Sequence, residues 1–79
     1  MSRDPLTVVR VRRRTYGEAR VVLLRERGSS LSAIARSLGL DLSFVSRVNG
    51  GSRHSRDVQE KIAFRLGLRL RDAFPEVRR

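Results

Sequence analysis

Apolar residues recur at helical spacing through most of this chain, and the stripes break at glycine. Tyr16, Ala19, Val22 and Leu23 form one stripe, followed by Gly28; Leu31, Ile34, Ala35 and Leu38 form a second, followed by Gly39. Leu42, Val45 and Val48 form a third, and Val58, Ile62, Ala63 and Leu66 a fourth, followed by Gly67. A repeat of about 3.6 residues predicts helices that each turn one face to a shared core. The start signals agree. Thr15-Tyr16-Gly17-Glu18 fits a capping box, and Ser30, Asp41 and Ser55 stand where a side-chain oxygen can accept an orphan backbone N–H. Helices are expected over about residues 16–27, 31–38, 42–48 and 56–66. Leu68, Leu70, Ala73 and Phe74 then make a short turn halted by Pro75, which closes the bottom of the core or offers a dimer contact.

The tightest arrangement is residues 30–49, SLSAIARSLGLDLSFVSRVN, two short helices with little slack between them. Ala35 is small enough for close approach, Gly39 supplies the left-handed turn, and Val45 plugs the angle between the helices. Ser43, Phe44, Ser46 and Arg47 fall on the other side of the second helix. This is the pattern of a helix-turn-helix, whose second helix presents its outer face to the DNA major groove.

On these residues the chain resembles the lambda-repressor-like family of phage and bacterial regulators. SLSAIARSLG followed by LGLRLRDAFPEVRR is most similar to the small Ner-type phage regulators, and the resemblance spans residues 15–77. It implies an all-α, compact four- to five-helix domain over residues 15–75, with the helix-turn-helix as helices two and three. Residues 1–14 are then a basic arm and 76–79 a short basic tail. It also implies a transcriptional regulator of phage or prophage type, acting as a repressor.

Composition narrows the function classes. At 79 residues the chain is one domain, too small to enclose a sizeable substrate cavity. It has no cysteine and one histidine, so a thiolate nucleophile, a disulfide framework and a multi-histidine metal site are all unavailable. His54 lies between Arg53 and Arg56, a poor setting for a catalytic base, and reads as a phosphate neighbour or a surface residue. Asp57, Glu60, Asp72 and Glu76 read as solvated helix charges. No enzyme activity, metal, cofactor or small-molecule ligand is expected. No apolar run approaches the roughly 20 residues needed to cross a bilayer, and export is not expected; a cytoplasmic protein on the nucleoid is.

Charge points to the partner. Eighteen basic residues against eight acidic ones give +10, and every basic residue except Lys61 is arginine. A polyanion is expected, and guanidinium forks suit phosphate oxygens and the guanine edge. Arg10, Arg12, Arg13 and Arg14 lie in a stretch with Thr7, Val8, Val9 and Val11. Three readings stay open for it: an arm along the DNA backbone or in the minor groove, a strand pairing with its copy, or a frayed terminus. Asn49-Gly50-Gly51-Ser52 reads as a loop in which both glycines permit positive φ. It lacks the GxxxxGK[ST] spacing of a nucleotide-binding loop, so a DNA-backbone contact is the simpler expectation.

The expected contacts follow. Base edges fall to Leu42, Ser43, Phe44, Ser46 and Arg47, with Arg47 the first choice for guanine O6 and N7. Phe44 shelters against a thymine methyl or is partly buried beside helix four. Phosphates fall to Ser30 and Ser32 at a helix N-terminus, and to Arg36, Asn49, Arg53, Arg12, Arg13 and Arg14. The partner is a double-stranded DNA operator, bound by a homodimer or a cooperative pair because one module spans few base pairs. A DNA-binding antitoxin, a protein adaptor and an RNA-binding protein are the alternatives.

Overall fold

The computed structural model describes residues 15–77, and among them the chain is all-helical, with no strand. The helices are α1 (Tyr16–Glu26), α2 (Leu31–Leu38), α3 (Leu42–Gly50), α4 (Arg56–Leu66) and α5 (Leu70–Ala73). The expectations placed on residues 1–14 and on residues 78–79 lie outside the described residues.

Local chemistry sets the helix starts. The Thr15 Oγ1 accepts from the Glu18 N–H (3.1 Å) and the Glu18 carboxylate accepts from the Thr15 N–H (3.3 Å), completing the capping box of α1. The Ser30 Oγ accepts from Ala33 N–H (3.1 Å) and the Ser55 Oγ from Val58 N–H (3.4 Å). Asp41 corrects one expectation. It sits at the N-cap position of α3, yet its side chain makes no capping hydrogen bond. The start of α3 is therefore fixed by the tight turn before it, where Gly39 takes φ 68° and the Leu40 N–H returns to the Ala35 carbonyl (2.9 Å).

Burial follows the stripes except at Leu42, which heads the α3 stripe yet is 48% exposed, and there are two further departures. Ile34, Ala35, Val45, Val48, Val58, Ile62, Ala63 and Leu66 are all buried, and Ala73 and Phe74 close the base of the core. In α1 the buried set is Ala19, Arg20, Leu23 and Leu24, while Val22 is only half-buried. The spacing 16, 19, 20, 23 and 24 puts Arg20 in the middle of the core-facing stripe, a charged side chain among apolar ones. The second departure is in α3, which continues to Gly50 rather than stopping near residue 48. Gly50 is helical, and only Gly51 of the glycine pair adopts positive φ (92°).

The α2–α3 pair packs at the small Ala35 and over the fully buried Val45, and α4 lies against α1, α2 and α3. No helix among the described residues is long and apolar enough to cross a membrane.

Candidate nucleic-acid interface

One face of α3 is open. Val45 and Val48 are fully buried and hold the helix to the core, so Leu42, Ser43, Ser46 and Arg47 are left exposed, with Leu42 48% exposed. A nine-residue helix is marginal in isolation, so packing on the two valines imposes its geometry. The outward set combines an apolar side chain at the first turn, two short hydroxyls and, in the last turn, a guanidinium.

This face continues onto the start of α2. A shallow cleft of about 330 Å³ has Leu42 and Ser46 of α3 on one wall and Arg25, Ser30, Leu31 and Ser32 on the other. The Ser30 hydroxyl accepts from Ala33 but keeps its own proton to donate. Helix N-termini carry partial positive charge and free N–H groups, so a phosphate here would meet donors and the nearby Arg25 cation. The structure thus brings Ser30, Ser32, Leu42 and Ser46 together. Arg36 is exposed in the last turn of α2, away from this cleft.

The expectation at Asn49 is corrected, and the two readings of Phe44 are narrowed. Asn49 is 5% exposed, and its amide faces inward. Its Oδ1 accepts from Arg20 Nε (2.9 Å), and its Nδ2 donates to the Gly17 carbonyl (3.1 Å). Both ends of the side chain bind α1, and its burial keeps a phosphate from reaching it. A Cβ on Gly17 would stand 3.1 Å from the Asn49 carbonyl oxygen, so this glycine marks where α1 and α3 approach most closely. Phe44 is half-buried against the core, with the Arg53 guanidinium 5.7 Å from its ring centroid. Of its two open readings, packing is the one the geometry favours.

Asn49 belongs to a buried hub that sequence reasoning missed. Arg20 is completely buried. Besides Asn49 Oδ1, its guanidinium donates to the carbonyls of Asn49 (2.6 Å) and Ala73 (2.7 Å) and pairs with the Glu76 carboxylate. It also lies over the Phe74 ring, 3.9 Å from the centroid. Buried charge is tolerated when it is paired and its donors are satisfied, and here both conditions hold. Glu76, expected as a solvated charge, is instead the counter-ion. The signal that could have found the hub was Arg20's place within the apolar stripe of α1.

The loop after α3 also differs from its expected role. The N–H groups of Gly51, Ser52 and Arg53 turn back to the carbonyls of Val48 (3.2 Å) and Arg47 (3.0 and 3.3 Å). They close the helix end and cannot also cradle a phosphate. The loop offers side chains instead, with Ser52, Arg53 and His54 all exposed. Among the described residues no group of three or more His, Cys, Asp or Glu side chains stands together as a metal site.

Compared with models of protein families, with curated proteins and with solved structures, the chain matches none.

Proposed function

We propose that the α2–turn–α3 pair is a helix-turn-helix of lambda-repressor-like type, and that the chain is a transcriptional regulator that binds double-stranded operator DNA in a sequence-dependent way. The observation that carries this reading is the open face of α3. Leu42, Ser43, Ser46 and Arg47 stand free on a helix pinned by Val45 and Val48, beside the serine-rich N-terminus of α2, in a chain of charge +10. A helix fits the major groove, and the α2 N-terminus then meets the adjoining phosphates. Arg47 is the side chain for guanine, and Leu42 the one for a thymine methyl. Arg25, Arg36 and Arg53 supply sequence-independent attraction that weakens as salt rises. The role is occupancy rather than catalysis: a protein seated on an operator excludes others from it, which is repression when the operator overlaps a promoter.

The experiment is selection of bound duplexes from a random pool, followed by competition with single-stranded and A-form RNA at physiological salt. A recurrent short consensus, preferred over RNA, is the expected result. Arg47→Ala should cost about 1–3 kcal/mol and erase the preference at one base pair while leaving the others. Retention of no consensus, or equal binding of RNA, would sink the reading.

A further inference from the structure

A second cleft, of about 210 Å³, lies between α2 and α4, and the proposed DNA contact does not use it. Its wall on α4 carries Lys61 and Arg65, four residues apart, and its wall on α2 carries Ala33, Ile34 and Ser37, with Ser29 from the α1–α2 connection. Every polar side chain in this lining can donate a hydrogen bond, and none is an acid. The ion pairs among the described residues join Arg20 to Glu76, Arg56 to Glu60 and Arg69 to Asp72, so neither Lys61 nor Arg65 has a carboxylate partner. Glu60, next to Lys61 in sequence, is held by Arg56 (2.8 Å), and Asp57 lies outside the lining. Across the cleft, the only charged residues from 27 to 40 are Arg27 and Arg36.

Ser29 makes this more than a pair of surface cations. Its Oγ is enclosed and has no hydrogen-bond partner among the described residues, in a position where hydroxyls are nearly always satisfied. Its backbone N–H is already used, donating to the Leu24 carbonyl (2.9 Å), and the Ser37 hydroxyl donates to the Ile34 carbonyl (2.8 Å). The donors left over are one hydroxyl and two cations. A ligand that uses all three must bring negative charge and several acceptor oxygens.

We propose that the α2–α4 cleft binds a phosphate group, with Lys61 and Arg65 countering its charge and the Ser29 hydroxyl turning about χ1 to donate to it. Phosphate oxygens point to the corners of a tetrahedron, which suits donors arriving from α4 and from the α1–α2 connection, whereas those of a carboxylate lie in one plane. Two sources present this chemistry. One is the DNA strand itself. Ser29 lines the cleft beside α3 as well as this one, so the two adjoin at the start of α2. Phosphates follow one another every 3.4 Å or so of axis along a strand, so a strand held at the α2 N-terminus carries further phosphates past it, at about that spacing. For this source the inference rests on the DNA-binding reading above. The other source is inorganic phosphate or a phosphate ester, which needs no DNA.

The test has two arms, both on the full chain. In the first, inorganic phosphate is titrated at constant ionic strength while backbone amide resonances are followed by nuclear magnetic resonance. Saturable shifts gathered at Ser29, Ser37, Lys61 and Arg65 are expected, and the double variant Lys61→Gln, Arg65→Gln should lose them. Ser29→Ala should weaken phosphate about fivefold, the worth of one hydrogen bond, and leave the melting temperature unchanged or raised, because that hydroxyl bonds nothing in the free protein. A lower melting temperature with phosphate affinity unchanged overturns the role of Ser29. In the second arm, one neutral methylphosphonate is moved through a selected duplex and its flanks. If the strand is the source, one position costs wild type about tenfold and the double variant nothing, and the salt slope of the double variant is smaller by about one. If free phosphate is the source, the first arm holds and no position separates the two proteins. Shifts that never saturate or that scatter over arginines elsewhere, together with no such position, overturn the site and leave the DNA reading intact. A wild type that binds no duplex overturns the DNA reading, and the phosphate titration alone then sustains or overturns the site.

Discussion

Replacing Arg20 by methionine isolates what the buried hub contributes. Methionine keeps most of the length and apolar volume but has no donor. The carbonyls of Asn49 and Ala73 and the Asn49 Oδ1, which now accept from the guanidinium, would be left without it. A buried acceptor that loses its donor costs about 1–3 kcal/mol. Three of them, with some relaxation of the Asn49 amide, give about 3–5 kcal/mol, the range expected when one partner of a buried ion pair is removed. Exchange of a whole buried ion pair for apolar residues can be neutral, but two of the acceptors here are backbone carbonyls that no substitution removes. At about 4–8 °C per kcal/mol for a domain of this size, the melting temperature should fall by at least about 12 °C.

The assay is urea and thermal unfolding followed by far-ultraviolet circular dichroism, with an unchanged m-value to show that the same surface is exposed. Glu76→Gln is the companion variant. Its side chain is 31% exposed, and the amide keeps an oxygen to accept from Arg20, so the loss should be only about 1–2 kcal/mol after allowance for solvent screening. A stability of Arg20→Met within about 1 kcal/mol of wild type would refute the reasoning. Equal losses for the two variants would show that the ion pair, rather than the carbonyls, holds the hub.

Two further outcomes follow from the caps and the open face. Ser30→Ala removes a side-chain cap and should destabilise by about 1 kcal/mol, whereas Asp41→Ala, where the side chain makes no such bond, should stay within about 0.5 kcal/mol of wild type in the same unfolding experiments. Equal losses would contradict the cap geometry. Exchanging deoxyuridine for thymidine in a selected site removes one methyl, about 0.8 kcal/mol or fourfold in affinity if Leu42 shelters it. The Leu42→Ala protein should not distinguish the two duplexes at that position, and an undiminished preference would release Leu42 from the role.

The helices were legible because each carries its signals locally. A cap residue, a stripe and a closing glycine lie within a dozen positions of one another, as in Ser30, Ile34 and Gly39. What escaped depended on groups far apart in sequence. The Arg20 guanidinium meets Asn49, Ala73 and Glu76, and no window around residue 20 contains them. Asn49 read as a loop residue because of the two glycines after it, but it makes two inward hydrogen bonds and α3 runs two residues further than expected, to Gly50. In the candidate site, outward positions such as Ser43, Ser46 and Arg47 follow from periodicity alone. Whether a position such as Phe44 packs or protrudes depends on core residues of the other helices, which the α3 stripe does not include.

The hub also changes what the arginines mean. Arg20 is buried and neutralised by Glu76, while Arg56 and Arg69 are paired on the surface with Glu60 and Asp72. The +10 charge therefore overstates the cations available to a polyanion, and Arg20 acts instead on the orientation of α3. That helix is held at its start by the Gly39 turn, along its length by Val45 and Val48, and at its end by the Arg20–Asn49 bonds. Reading a base edge needs that orientation, but attraction between surface arginines and phosphates does not. A variant that loosens the hub and stays folded, as Glu76→Gln should, ought to lose discrimination between sites before it loses affinity for duplex DNA in general.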